Sequence, residues 1–355
     1  MISEESVLIA LRNVEDPDLK KDLVSLGMIR NLQIEGKKVR FTVVLTTPAC
    51  PMKEMLQRAC ENAVRLLVDK EALVEVTMSS EVTSTRNGKE MLPEVKNIIA
   101  VASGKGGVGK STVAVNLAIA LAQTGAKVGL MDADIYGPSI PVMLGLEGEQ
   151  PYMELVNGKD LILPIEKFGI KSLSIGFLVP KEQAVVWRGP MVSSAIRQFV
   201  SDVKWGELDY LIIDLPPGTG DVHITISQGV PLTGVLMVTT PQEVSLSDCR
   251  KALNMFTLPQ LNVPMLGVVE NLSYFTPAEL PNNKYFLFGK GGGQKIADEF
   301  KLPLLGQLPL YQSIQAGADS GVPAALNLDA PDAQAFHKLA EAVAQRIAIL
   351  NSNIL

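Results

Sequence analysis

The chain has 355 residues, 47% of them hydrophobic and 20% charged, a balance that builds large buried cores and leaves little room for disorder outside linkers. Its 32 basic and 38 acidic side chains give a formal charge of −6, which argues against a nucleic-acid partner because phosphate neutralisation needs clustered Lys and Arg. No apolar run reaches the roughly eighteen residues that span a membrane.

The N-terminus, MISEESVL, is acidic and lacks the basic-then-apolar pattern of a secretory signal. Residues 1–80 read as a small α+β domain. SEESVLIALRNV places Val7, Leu8 and Leu11 at helical spacing, and KKVRFTVVLTT alternates as a strand. PMKEMLQRACENAVRLLV predicts a helix with Pro51 in its first turn and an apolar face of Met52, Met55, Leu56, Ala59, Ala63, Leu66 and Leu67. LVEVTM closes the domain as a strand. Residues 81–97 lose periodicity and gather Ser, Thr, Asn, Gly and Pro, which predicts a linker.

Residues 98–355 follow another rule. IIAVAS, KVGLMD, DYLIID, GVLMVTT and MLGVVE are short continuous apolar runs separated by helical segments. That pattern predicts buried parallel strands in a doubly wound α/β sheet, whose ligands bind beyond the carboxyl ends of the strands. The final segment, HKLAEAVAQRIAIL, lacks a dense basic face and reads as a helix packed on a core.

Chemistry concentrates at those strand ends. IIAVAS runs into Gly104-Lys105-Gly106-Gly107-Val108-Gly109-Lys110-Ser111-Thr112, which fits G-x-x-x-x-G-K-[ST] between a strand and a helix. Its glycines let backbone N–H groups curl toward phosphate oxygens, and the helix N-terminus adds partial positive charge. The motif predicts ATP with Mg2+: Lys110 reaches the β- and γ-phosphates, and Ser111 ligates the metal. Lys105 is either a solvated loop charge or a source of transition-state charge for a neighbouring subunit.

Asp132 and Asp134, at i and i+2 after GLMD, face the same side. Either they form a turn or helix-cap pair, or one holds magnesium through water while the other orients the attacking water. YLIID ends in Asp214, placed to hold magnesium through water, and 216–220 forms a stiff loop with glycine hinges. Asn271, after MLGVVE, is a turn residue or a partner for an adenine edge.

GKGGVGKST, MDADIYGPS, IIDLPPGTGD and VVENLSYF together resemble the Mrp/ApbC family of deviant Walker A ATPases, relatives of MinD, ParA and the nitrogenase iron protein. DPDL and LTTPACP resemble the small iron–sulfur assembly domain often fused ahead of such ATPases. The resemblance implies slow ATP hydrolysis in a homodimer, with Lys105 acting across the interface. It implies Asp134 as the water-activating residue, Asp132 as a supporting carboxylate near magnesium, Asp214 as the Walker B residue and Asn271 at the base. It also implies a transient iron–sulfur cluster, received from a scaffold and passed to apoprotein clients. WRGPMV, with Trp187 and Arg188, fits the family as core and switch positions.

One stretch departs from the pattern. Where many relatives carry a cluster-bridging CxxC, this chain reads SYFTPAELPNNKYFLFGKGGG, without cysteine. Clusters need thiolates. Cys50, at a strand–helix junction in TTPACP, is then the candidate cluster contact, with a small buried hydrophobe as the alternative. Cys60 and Cys249 read as helix packing, and His223 and His337 form no metal site with them. An odd number of widely spaced cysteines predicts a reducing, cytoplasmic setting. A second functional reading stays open: a MinD/ParA-like binding switch without a cluster role.

Overall fold

The computed structural model describes residues 2–85, 91–156, 158–179, 189–277 and 279–352. It divides into two compact units, Met1–Thr85 with Ala344–Leu355, and Arg86–Val343. The end of the chain counts with the first unit, which pattern alone did not suggest. Within that unit the buried Asn351 amide donates to the Thr83 carbonyl at 2.9 Å.

In the first unit, helix Glu4–Leu11 is capped by Ser3, whose hydroxyl accepts from the Ser6 N–H, and it buries Val7, Ala10 and Leu11. Strand Lys38–Leu45 turns Val39, Phe41, Val43 and Leu45 inward, the period-2 pattern its sequence shows. It pairs in parallel with Leu73–Ser80, and helix Lys53–Leu67 makes the crossover. Its other neighbour, the antiparallel strand Ile29–Glu35, escaped the sequence reading. There Asn31 takes φ +54°, and a register shift between Arg30 and Gln33 breaks the alternation. Helix Lys53–Leu67 starts after Pro51 and buries the line Leu56, Cys60, Val64. Met55, Leu66 and Leu67, expected on the apolar face, are exposed. Only one i, i+4 line of this helix is buried.

In the second unit an eight-stranded sheet runs in the order 165–167, 170–174, 128–132, 208–214, 95–102, 234–239, 265–270, 304–307. All neighbours pair in parallel except at the edge strand Ile165–Lys167. The five apolar runs form its middle, and Ile98 to Ala102 are wholly buried. The strand expected from residue 98 starts at Val95, inside the stretch read as linker. Edge strands 165–167 and 304–307, and 170–174 beside the first of them, are short and mixed in polarity, so apolar runs do not announce them. The part of helix Pro331–Ser352 that belongs to this unit buries Phe336, Leu339, Ala340 and Val343. Among the described residues no helix is long and apolar enough to cross a membrane.

The strand order reverses direction around Val95–Ala102, so the loops after residues 102, 132, 214 and 270 share one edge of the sheet. Leu211, opposite Ile98 on one side and Gly129 on the other, sits at the centre of this scaffold. Leu211→Ala leaves a cavity there and is expected to cost about 2–5 kcal/mol. Urea denaturation monitored on this unit should show a lower midpoint with the same slope; an unchanged midpoint would contradict the packing.

Candidate functional site

Gly104 opens the loop where no side chain fits: a Cβ there would lie 2.2 Å from the backbone carbonyl of Asp248. Gly107 and Gly109 take φ of +80° and +79°, the left-handed region that glycine enters at little cost. The chain then enters helix Lys110–Gln123, whose N-cap, Gly109, offers no side-chain oxygen to its first N–H groups. Those groups and the helix dipole make a positive cradle for an anion.

Lys110 Nζ donates to Asp214 Oδ1 at 2.6 Å and to Ser111 Oγ at 3.1 Å. Lys110 is 6% exposed and Asp214 is fully buried. Such a pair is costly to desolvate and repays the cost only when its remaining valences are satisfied. One is not: Asp214 Oδ2 is buried without a hydrogen-bond partner. An orphaned buried acceptor costs about 1–3 kcal/mol. A buried carboxylate with an oxygen to spare, sharing Lys110 with the Ser111 hydroxyl, is a donor set that fits a water-bridged divalent cation such as magnesium.

Asp132 is pinned more completely. Its carboxylate accepts from the Ser174 hydroxyl at 2.9 Å, the Asp134 N–H at 3.1 Å and the Ile140 N–H at 3.4 Å. Burial, then the charge of Asp214, pushes its pKa up to about 8. In this arrangement it organises the 132–140 loop and thereby aims Asp134. Asp134 is half-buried, and burial pushes its pKa up, opposed by the charge of Lys110. It lines an open cleft of about 470 Å3 with Tyr136, Pro216, Pro217 and His223.

The 215–220 loop is tied at three points. Leu215 N–H donates to Val101, Gly218 N–H to the Ser103 carbonyl at 2.9 Å, and Gly220 N–H to His223 Nδ1 at 3.1 Å. His223 is thus a cap for helix Asp221–Gly229; it is buried, and burial pushes its pKa down. Lys105 is exposed, and its carbonyl accepts from the Ser103 hydroxyl at 3.0 Å.

Asn271 follows strand Met265–Glu270, and its backbone N–H donates to the Thr239 carbonyl at 2.8 Å. Its Nδ2 donates to the Val108 carbonyl at 2.8 Å, and a Cβ on Gly109 would lie 2.3 Å from that nitrogen. The amide here braces the loop. Next to it, the buried Glu270 accepts from Ser273, from Gly293 N–H at 2.6 Å and from Gln307 at 2.9 Å. Ser103, Ser174 and Glu270 are the parts that motif reading missed. Only Ser103, adjoining the glycine loop, carried a positional hint.

The three cysteines differ in setting. Cys60 and Cys249 are fully buried, and burial pushes both thiols up to about 12. Cys50 is half-buried and lies ahead of Met52, the N-cap of helix Lys53–Leu67, so it falls outside that helix's first turn. Among the described residues no group of three or more His, Cys, Asp or Glu is placed to hold a metal ion. Trp187 and Arg188 lie outside the described residues.

Two outcomes follow from this geometry. Gly109→Ala strains the left-handed turn and drives a methyl into Asn271, so nucleotide affinity should fall at least about tenfold in a fluorescent-ADP titration, equivalent to about 1.4 kcal/mol. A thiol reagent should leave Cys60 and Cys249 unlabelled in the native chain and reach all three cysteines only in denaturant; native labelling of Cys249 would contradict its burial.

Comparison with known proteins agrees with the geometry. The family of NUBPL iron-transfer P-loop NTPases matches residues 94–344, and the iron-sulfur cluster assembly protein family matches residues 4–77. The chain is 49% identical to the iron-sulfur cluster carrier protein of Synechocystis, over 98% of this chain and 99% of that one. It is 45% identical to the iron-sulfur cluster carrier protein of Deinococcus radiodurans, over 97% and 96%. Among solved structures, a nucleotide-binding protein from Archaeoglobus fulgidus in complex with ADP superposes with a TM-score of 0.56 at 38% identity, covering 65% of this chain and 88% of that one. With a nucleotide cradle and its buried acidic partner behind an assembly-type first unit, this chain belongs to the iron-transfer P-loop NTPase family.

Proposed function

We propose that this protein hydrolyses ATP to drive the receipt and delivery of an iron–sulfur cluster, working as a homodimer in a reducing compartment such as the cytoplasm. The observation that carries the ATPase part is the buried Lys110–Asp214 pair, with its orphaned Asp214 Oδ2, formed by the lysine that closes the glycine loop. The cargo part rests on the carrier relatives and on the assembly-type first unit.

The residues divide the work. The backbone of 104–109 and Thr112 cradles the phosphates, and Lys110 exchanges Asp214 for the β- and γ-phosphate oxygens as ATP enters. Ser111, and Asp214 through water with Asp132 in support, would hold magnesium, which would supply positive charge against those phosphates. Asp134, aimed by the Asp132 loop, orients the attacking water. The exposed Lys105 supplies charge to the site of a second copy, and Asn271 braces the cradle within reach of the base. Phosphoryl transfer asks little more of a protein than position and charge. The cluster is cargo, taken from a scaffold and passed to apoproteins, and Cys50 is the thiol we assign to its contact.

Lys110→Ala should lower ATP turnover by about 10²–10³-fold, the usual loss when a charge-stabilising donor is removed; unchanged turnover would sink the enzyme reading. The cargo reading is tested by reconstitution without oxygen, measuring bound iron and sulfide and transfer to an apoprotein, with Cys50→Ala alongside. We expect the parent to hold and deliver a cluster and the variant to lose most of it. The cysteine-free 273–293 stretch favours the competing reading, a nucleotide-driven switch without cargo. ATP hydrolysis by a chain that holds no iron would select that reading.

A further inference from the structure

Building on the ATPase reading, we infer that Ser103 is a positioning residue that couples the 215–220 loop to Lys105. Ser103 is the first residue beyond strand Val95–Ala102 and is 1% exposed. Its two polar ends face two different loops. The carbonyl accepts the Gly218 N–H at 2.9 Å, and the hydroxyl donates to the Lys105 carbonyl at 3.0 Å. One buried residue thereby joins the loop that follows the Asp214 carboxylate to the peptide that carries the exposed lysine.

The surroundings make this joint a lever rather than a cushion. On one side Gly104 is pressed against the backbone of Asp248 and Cys249, so the 103–104 peptide has no room to slide. The 215–220 loop has two adjacent prolines, Pro216 and Pro217, then Gly218 at φ +89°, and its far end is held by His223. Stiff segments between fixed points move as units, so displacement of the loop is felt first at the Gly218–Ser103 bond. Between Gly218 and Lys105 the link made by a side chain is the Ser103 hydroxyl. Removing it leaves the strand, Lys110 and the amides at the start of its helix untouched but frees the Lys105–Gly106 peptide. Lys105 is exposed, and its reach depends on how its own backbone is aimed; a misplacement of about 1 Å costs up to about a hundredfold in rate.

The test is a double-mutant cycle on the full chain, read by steady-state hydrolysis and, for slow variants, by single-turnover phosphate release. Ser103→Ala should lower kcat by roughly ten- to a hundredfold with KM for ATP changed less than about twofold, because ground-state binding by Lys110 and the amides at the start of its helix is intact. Placed on Lys105→Ala, the same change should add no further loss, since its effect runs through that lysine. Equal losses in both backgrounds, or a KM that rises in step with the fall in rate, would overturn the inference and leave Ser103 a packing residue. A parent chain that hydrolyses ATP beside a Ser103→Ala variant of equal kcat sinks this inference alone. A parent that binds ATP without hydrolysing it sinks the ATPase reading and the lever together.

Discussion

A lysine and an aspartate far apart in the chain are forced together by the register of two neighbouring strands. Asp214 stands opposite Val101 at the end of one strand and opposite Asp132 at the end of the next. Lys110 reaches it from the first turn of the helix that follows Val95–Ala102. The result is a buried cation among carboxylates that outnumber it, with one oxygen left over. Folding tolerates such an arrangement only because the sheet around it is deeply apolar. The electrostatic imbalance defines what the site accepts: a polyanion to relieve the lysine and a cation to relieve the acids.

The acids are not equivalent, and their environments say why. Asp132 spends its lone pairs on the Ser174 hydroxyl and two loop amides, and its proton affinity rises with burial. Asp134 lines the cleft and accepts the Gly137 N–H at 3.3 Å. Two residues apart in sequence, one is wholly buried and pinned and the other reaches the cleft. Spacing alone could not separate those roles, because i and i+2 on an extended chain look alike until the loop's hydrogen bonds are known.

Much of the second unit was legible because burial on both faces writes itself as unbroken apolar runs, and the glycine loop writes itself as spacing. Asp214 was legible as the end of such a run. What stayed hidden depends on long-range pairing. The Ser174–Asp132 bond spans distant residues, the Asn271 amide turned to Val108, and Glu270 collects donors from three separate segments. In the first unit a bulge erased the alternation of Ile29–Glu35, and the exposed Met55, Leu66 and Leu67 made the apolar face of one helix look wider than the buried line it uses.

The large sheet tapers. Its interior strands run to eight residues, whereas the strands at its two margins, Ile165–Lys167 and Leu304–Gln307, have three and four. A margin that short presents few unpaired amides and carbonyls to a passing chain. The same shape that hid these strands from pattern reading therefore guards this sheet against edge-to-edge pairing, with its long, hydrophobic strands enclosed between the two short margins.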